Sequence, residues 1–211
     1  MYQSITDADI NYVLETLKKF SDQYPELIND NSEDFASRIT NALTKDIIPS
    51  IPETCSDPLV SVILEGHYKL EKKNLETIAH QHKLSMASEN IVGEYLELYI
   101  SSKTHPNRSW VHCVDNLVKG TDFVKHDKDG WKFLQIKNRY NSENSSSSRI
   151  RKTFKKEYGI LIKKWYRTRK DGTDNWSIFP DKNSPDKYLS KVFSEADFKN
   201  FIFSYLNHLD Y

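Results

Sequence analysis

The stretch that decides the fold reads Gly120-Thr121-Asp122-Phe123-Val124-Lys125 and, after a polar reversal, Trp131-Lys132-Phe133-Leu134-Gln135-Ile136-Lys137-Asn138. Its alternating apolar and polar residues predict a hairpin of two strands, 119–125 and 131–138. Side chains alternate along a strand, so Gln135 and Lys137 share one face while the apolar residues beside them point to a core. The hairpin therefore brings Asp122 beside Gln135 and Lys137.

These polar groups suit a divalent cation next to a phosphate. The Asp122 carboxylate, the Gln135 carbonyl and the backbone carbonyl of Ile136 are oxygen donors of the kind that Mg2+ prefers. Lys137 can orient or deprotonate an attacking water, or stabilise the charge that builds on a phosphate. The same spacing also arises by chance in a surface hairpin with a solvated charged face, so support must come from the rest of the chain.

The segment after the second strand is crowded with hydrogen-bonding groups. It runs Asn138-Arg139-Tyr140-Asn141-Ser142-Glu143-Asn144, then Ser145-Ser146-Ser147-Ser148, then Arg149-Ile150-Arg151-Lys152. Amides, hydroxyls and guanidinium groups read base edges and grip phosphates, and a segment of this composition is not expected to bury a core. A flexible polar linker is the alternative. Its position directly after the site strand favours a nucleic-acid recognition loop over 138–152.

Charge is strongly polarised along the chain, although the formal net charge is zero. Residues 101–170 carry 18 Lys and Arg against 6 Asp and Glu, which leaves 12 against 24 for the remainder. A solvated basic face is one explanation, but together with the hairpin this pattern indicates a phosphate-binding face. Lys163, Lys164 and Arg167 are predicted to contact phosphates from a further strand. Trp165, between them, is expected to pack in the core.

Three runs of the sequence resemble a known protein family. The runs that carry the likeness are 116–125, 133–151 and 162–168, within a region of roughly 88–180. They are similar to the SinI-type restriction endonucleases, which belong to the PD-(D/E)XK nuclease superfamily. The resemblance implies an α+β (α/β-like) fold with a PD-(D/E)XK restriction-endonuclease-like core, in which helices flank a central mixed sheet.

Two positions depart from the motif of that superfamily. The second strand of the motif carries an acid where this chain has Gln135, and the first strand opens with a proline where this chain has Thr121. The resemblance implies catalytic roles for Asp122, Gln135 and Lys137, with Mg2+ held by Asp122 and the Ile136 carbonyl. With Gln135 in place of an acid, the metal shell is short of one formal charge.

An upstream helix offers the missing acid. The helix predicted over 85–102, with Ser88 as its cap, has apolar residues at helical spacing. The pair Gly93-Glu94 resembles the glycine and acid that many superfamily members place there, so Glu94 is the first choice as catalytic residue and metal ligand. Glu97 is the second choice. The alternative for each glutamate is an ordinary solvated helix carboxylate.

The resemblance also implies an activity. It points to a Mg2+-dependent type II restriction endonuclease that cuts double-stranded DNA at a short specific site, of the GGWCC kind. Two-fold symmetric sites usually match two-fold symmetric proteins, so a homodimer is expected. A cognate DNA methyltransferase would be the functional partner, with no physical complex implied. The rival is a non-catalytic DNA-binding protein on the same fold, in which Gln135 marks a decayed site.

Periodicity away from the hairpin predicts further elements. Apolar residues at helical spacing predict helices over 5–24, 32–46 and 69–80, and the Thr6-x-x-Asp9 pattern opens the first of them. Ser194 caps a predicted C-terminal helix that should cover one side of the sheet, and residues 176–179 are predicted as another strand.

The expected organisation is one compact domain. Residues 1–84 should form a helical N-terminal part, a scaffold and possible dimer surface packed on a nuclease core of residues 85–211. A chain of 211 residues is long enough for a substantial core.

Composition argues against several other classes of protein. Cys55 and Cys113 are too few for a disulfide framework and lack metal-ligand spacing, which fits a reducing cytosol. No apolar run approaches a membrane span and no secretory signal opens the chain, so a cytoplasmic protein without membrane partners is expected. The seven histidines do not form the close pair that a histidine metal site needs. Neither a Gly-x-Ser-x-Gly elbow nor a phosphate loop is present.

Overall fold

The architecture is a mixed sheet between helices. The computed structural model describes residues 5–29, 34–48, 58–139 and 145–209. Its helices are α1 (Asp7–Gln23), α2 (Phe35–Thr44), α3 (Pro58–Gly66), α4 (Lys72–Thr104), α5 (Ser145–Tyr158), α6 (Leu189–Val192) and α7 (Glu195–His208). Its strands are β1 (Val111–His112), β2 (Phe123–Asp127), β3 (Gly130–Arg139) and β4 (Ile162–Thr168).

Within the described residues the sheet order is β1-β2-β3-β4. The first three strands are antiparallel neighbours, and β4 runs parallel to β3. A mixed α+β fold of this kind agrees with the predicted class and is compatible with a restriction-endonuclease-like core. No helix in the described part of the chain is both long and apolar enough to cross a membrane.

The predicted β2–β3 hairpin is confirmed, with shifted ends. The register pairs Phe123 with Leu134. The first strand starts at Phe123 because the chain before it turns at Gly120, whose φ of +62° lies in the left-handed region that favours glycine. Asp122 therefore lies one residue before β2, at the open end of the hairpin.

One face of the sheet packs against α1 and α2. Val124, Phe133 and Ile162 are cross-strand neighbours on this face. They belong to the same buried core as Leu17 and Phe20 of α1. The ring centroids of Phe20 and Phe133 are 5.7 Å apart in an edge-to-face arrangement, a favourable geometry for two aromatic rings. This core fixes the position of the hairpin.

The opposite face carries an aromatic cluster. The ring centroid of Trp165 on β4 lies 5.0 Å from that of Trp176 and 5.1 Å from that of Phe179. Tyr99 of α4 lies 5.5 Å from Trp176 and 5.2 Å from Phe198 of α7. Trp165 is therefore a packing residue, and α7 covers this side of the sheet, both as predicted.

The predicted caps of the first and last helices are confirmed. The Thr6 hydroxyl accepts a hydrogen bond from the Asp9 amide at 3.2 Å. The Ser194 hydroxyl accepts one from the Asp197 amide at 3.1 Å. Each bond satisfies an amide that has no partner within its own helix.

The predicted recognition loop over 138–152 is wrong for its second half, because Ser145 onward forms α5. Ile150 and Phe154 lie one helical turn apart, and both contribute to the core shared with α1 and α2. Two apolar anchors at this spacing are enough to hold a helix whose other residues are polar. Composition alone concealed this periodicity.

Two other predictions about elements are also wrong. Residues Trp176–Ile178 form a 3₁₀ turn where a strand is predicted over 176–179, because Trp176 packs into the aromatic cluster. The helices predicted over 69–80 and 85–102 are one helix, α4. Ser88 lies inside it and donates a hydrogen bond to the Leu84 carbonyl at 2.8 Å, so it does not cap a helix.

The chain divides into two compact units at other positions than the predicted 1–84 and 85–211. One unit comprises Met1–Asp46 and Tyr95–Tyr211, and the other comprises Ile47–Glu94. The first unit includes α1 and α2 because their apolar sides pack on the sheet. The second holds α3 and the first part of α4, and α4 continues across the boundary at Glu94.

Candidate active site

Asp122 is held from three sides at the open end of the hairpin. Its carboxylate oxygen Oδ2 accepts a hydrogen bond from the Ile136 amide at 2.7 Å. Its backbone amide donates to the Leu134 carbonyl at 3.0 Å, and its carbonyl accepts from the Cys113 amide at 2.8 Å. The side chain thus continues the β2–β3 ladder by one bond, which fixes its orientation.

The Ile136 backbone faces the same space. In a strand, the N–H and the C=O of one residue point to the same neighbouring strand. Since the Ile136 N–H bonds to the Asp122 carboxylate, its carbonyl points to the edge where Asp122 lies. Two of the oxygens that the sequence singles out therefore lie on one side of β3.

Glu97 brings a second carboxylate to Asp122. Burial, and after it the nearby Glu97 carboxylate, raise the pKa of the Asp122 carboxyl to about 7. The Ile136 amide, Lys137 and His112 act in the opposite direction. The partly buried carboxylates of Asp122 and Glu97 repel each other, and a bound cation would relieve that repulsion.

Glu94, the first choice from the sequence, is the last residue of the second compact unit. Its role in the site stays a prediction. The structure instead associates Asp122 with Glu97, the second choice, through the repulsion between their carboxylates.

Histidine 112 was not identified as a site residue from the sequence. Its Nε2 lies 2.9 Å from a Glu97 carboxylate oxygen, and its ring stacks on Phe123 with centroids 5.0 Å apart. The His112 amide donates to Nε2 of the buried His105 at 3.2 Å. Burial lowers the pKa of His105 to about 3, so that ring is neutral and accepts the bond. His112 is thereby fixed where it orients Glu97.

No local sequence signal could have paired His112 with Glu97. One residue lies on a strand and the other on a helix, and only the docking of α4 on the sheet brings them together. Across the described residues, no cluster of three or more His, Cys, Asp and Glu side chains has the arrangement of a metal site.

Gln135 is buried, with 4% of its surface exposed. Its carbonyl oxygen Oε1 accepts a hydrogen bond from Nη1 of Arg151 on α5 at 2.8 Å. The sequence predicts both residues as functional, Gln135 at the metal and Arg151 on DNA. In the structure, Gln135 and Arg151 are hydrogen-bonded to each other.

A cationic surface lies beside the carboxylates. The parallel register pairs Gln135 with Lys164 and Lys137 with Tyr166, so these side chains leave the same face of the sheet. From this face the Lys137 ammonium lowers the pKa of the Asp122 carboxyl. Burial lowers the pKa of the Lys164 amine, and the nearby Lys137 ammonium lowers it further. Two lysines that repel each other in this way are suited to share an anion such as a phosphate.

Two of the predicted phosphate contacts are engaged within the protein. Lys163 forms an ion pair with Asp181, with 2.7 Å between its Nζ and the carboxylate. Arg167 pairs with Glu195 and donates to the Asn138 side-chain oxygen at 2.8 Å. These bonds give Lys163, Arg167 and Asn138 structural roles, and their contact with DNA stays a prediction.

The remaining predicted DNA contacts are distributed along α5 and before it. Arg149 and Lys152 are exposed on α5. Asn141, Ser142 and Asn144 lie outside the described residues. The structure describes only the backbone of Arg139, Ser145, Ser146, Ser147 and Ser148.

Comparison with known proteins gives a family match across nearly the whole chain. Residues 10–208 match the SinI restriction endonuclease family. The type II restriction enzyme Eco47I of Escherichia coli is 43% identical over 162 residues, which cover 75% of this chain and 65% of that enzyme. The type II restriction enzyme SinI of Salmonella infantis is 44% identical over 165 residues, covering 76% and 66% respectively. The chain thus spans slightly less than two thirds of the length of these relatives.

Proposed function

Because the chain belongs to the SinI restriction endonuclease family, we propose that it is a Mg2+-dependent type II restriction endonuclease that hydrolyses phosphodiester bonds in double-stranded DNA at a short specific site. The observation that carries the proposal is the arrangement at the open end of the hairpin. There the Asp122 carboxylate accepts a hydrogen bond from the Ile136 amide at 2.7 Å, and its pKa is raised by the Glu97 carboxylate and lowered by the Lys137 ammonium.

The residues present fit a hard divalent cation. The Asp122 carboxylate, the Ile136 carbonyl and the Glu97 carboxylate are oxygen donors, and Glu97 raises the pKa of the Asp122 carboxyl because the two negative charges repel each other. When bound, Mg2+ supplies positive charge that polarises the scissile phosphate and lowers the pKa of bound water. Glu97 compensates for the charge that Gln135 does not carry.

The lysines complete the chemistry. Lys137 holds the attacking water and offsets the negative charge that develops on the phosphate. Lys164, the neighbour of Gln135 across the sheet, neutralises a phosphate oxygen. His112 keeps the Glu97 carboxylate oriented through its 2.9 Å contact. Each of these groups is held by strand pairing or by a hydrogen bond, which keeps reorganisation during the reaction small.

The finer features of the proposal follow from the family. A GGWCC-like recognition site and a homodimer acting on a two-fold symmetric site are expected. The natural setting is a restriction–modification system in the cytoplasm, with a cognate DNA methyltransferase as functional partner. The alternative, an inactive DNA-binding protein with Gln135 as the mark of a decayed site, predicts specific binding without cleavage.

One experiment tests the function. Purified protein is incubated with phage DNA with and without Mg2+, and the ends of the fragments are mapped. We expect cleavage only with the metal, at ends that share one short sequence. Specific binding without cleavage would favour the inactive alternative, and the absence of both would overturn the proposal.

A further prediction separates base contacts from phosphate contacts on α5. Arg149→Ala should cost roughly 1–3 kcal/mol of binding at the cognate site and little on random DNA, since a guanidinium can bond a guanine edge in bidentate fashion. Lys156→Ala should weaken binding to all sequences alike and lower the salt slope by about one phosphate contact. The measurement is a set of binding isotherms on both duplexes at several salt concentrations.

Lys163→Ala is the control for these isotherms, because the Lys163 ammonium is paired with Asp181. It should change the affinity for either duplex less than Lys156→Ala does. If Arg149→Ala lowers the affinity for both duplexes equally, Arg149 contacts the backbone and the bases are read elsewhere.

A further inference from the structure

Two consecutive residues of α5 contact the hairpin, one on β3 and the other at the turn that precedes β2. Arg151 donates to the Gln135 side chain at 2.8 Å. Ile150 packs so closely on Gly120 that a Cβ added at Gly120 would lie 2.7 Å from Ile150 Cγ2. Gly120 precedes Asp122 by two residues, and Gln135 precedes Lys137 by two. One turn of α5 is thus linked to the chain beside each catalytic side chain.

The contact with Arg151 changes what Gln135 can do. Its Oε1 already accepts a guanidinium N–H, within a side chain that is 4% exposed. A second positive charge on the same oxygen, in surroundings with little solvent, would be repelled by the guanidinium. Gln135 is therefore better suited to hold Arg151 than to ligate a cation.

The rest of α5 offers a surface for DNA. Ile150 and Phe154 face the core, whereas Arg149, Lys152 and Lys156 are exposed. These three cations have the spacing i, i+3 and i+7, which places them in one stripe along the helix. A helix with a cationic outer stripe and an apolar inner stripe can bind phosphates while it remains packed on the protein.

From these contacts we propose that α5 couples DNA docking to catalysis, through the Arg151–Gln135 hydrogen bond and the Ile150–Gly120 contact. Gln135 is then a positioning residue and not a metal ligand. The inference rests on the proposed endonuclease function. DNA bound along the outer stripe fixes the position of α5. The Arg151–Gln135 hydrogen bond then aligns the chain at Lys137, and the Ile150–Gly120 contact aligns it at Asp122. On a site with one altered base, α5 takes a different position, and Lys137 and Asp122 are no longer aligned with the phosphate.

The coupling predicts that the cleavage step discriminates between the cognate site and altered sites, in addition to any discrimination by binding. Gln135→Met and Arg151→Met each remove the hydrogen bond while retaining side-chain bulk. Each should slow single-turnover cleavage of the cognate site by about 10-fold or more, the scale expected for a small misplacement of reacting groups. The ratio of cleavage rates between the cognate site and a one-base variant should fall. Metal-free affinity of Gln135→Met for the cognate duplex should change by less than about 3-fold, since Gln135 is buried and uncharged and lies away from the outer stripe.

A double-mutant cycle gives the decisive test. If the two residues act through one bond, the double variant should be no slower than either single variant. Gln135→Glu keeps an acceptor for Arg151 and should retain cleavage. Lys132→Met is the control, because Lys132 is paired with Asp127 at the other end of β3, and its effect should add to that of Gln135→Met. Thermal melting verifies folding, and Arg151→Lys replaces Arg151→Met if the latter does not fold.

The outcomes are distinct. Additive effects, together with a higher Mg2+ requirement in Gln135→Met alone, would show that Gln135 is a metal ligand and would overturn the coupling. An unchanged cleavage ratio in both single variants would also overturn it, because a purely structural role lowers stability without changing discrimination. Absence of cleavage by the wild-type protein on any site would overturn the proposed function, and the coupling with it.

Discussion

Alanine at Asp122 or at Lys137 is expected to abolish cleavage, lowering the single-turnover rate by about 10³-fold or more. Asp122 supplies a carboxylate that strand pairing and the Ile136 amide hold in one orientation, and Lys137 supplies the cation beside it. Neither group is placed to read a base, so affinity for the cognate duplex in metal-free buffer should remain within a few-fold of wild type. Single-turnover cleavage and metal-free binding isotherms measure the two effects separately.

The same hairpin provides matched controls. Asp127 and Lys132 form an ion pair of 2.5 Å at the other end of β2 and β3. They are an acid and a lysine on the same two strands, remote from the open end. Asp127→Ala and Lys132→Ala should cleave at close to the wild-type rate. Cleavage near the wild-type rate in Asp122→Ala or Lys137→Ala would refute the assignment of the site.

The second large effect is expected at Glu97. Glu97→Gln keeps the shape of the side chain but removes the charge that acts on Asp122. Cleavage should slow by about 10²-fold, and the Mg2+ concentration for half-maximal rate should rise, because the cation loses an anionic ligand. A titration of single-turnover rate against Mg2+ measures both quantities.

Glu94→Gln is the matched control for Glu97→Gln, one helical turn earlier on α4, and it tests the choice made from the sequence. We expect it to slow cleavage by no more than a few-fold. If Glu94→Gln slows cleavage more than Glu97→Gln does, the metal ligand is Glu94, as the resemblance to the superfamily implies. Small and equal effects in both variants would remove α4 from the active site.

Much of the β2–β3 hairpin could be predicted because strand signals are local. Alternation over 131–138 placed Gln135 and Lys137 on one face and Leu134 and Ile136 on the other, and the observed register agrees. The caps at Thr6 and Ser194 were predictable for the same reason, since each bond spans three residues. In these cases the sequence contains both partners within a few positions.

The wrong predictions of secondary structure arise where the composition of a segment indicates one element and its periodicity or packing indicates another. Serines and cations dominate the start of α5, which indicates a loop, while the spacing of Ile150 and Phe154 indicates a helix. The core decided between them, since two apolar anchors pack against α1 and α2. Likewise, Trp176 has high strand propensity, yet the aromatic cluster holds it in a 3₁₀ turn.

By itself, the sequence determined the family and the hairpin, and it predicts Asp122 and Lys137 as site residues, because these depend on motif spacing and on the two-residue period of a strand. Only the tertiary structure decided that Glu97 acts on Asp122, that His112 orients Glu97, and that Arg151 occupies the oxygen of Gln135. Each of these contacts joins two different elements. Which residues meet across such elements depends on the rotation of a helix against the sheet, and buried packing sets that rotation.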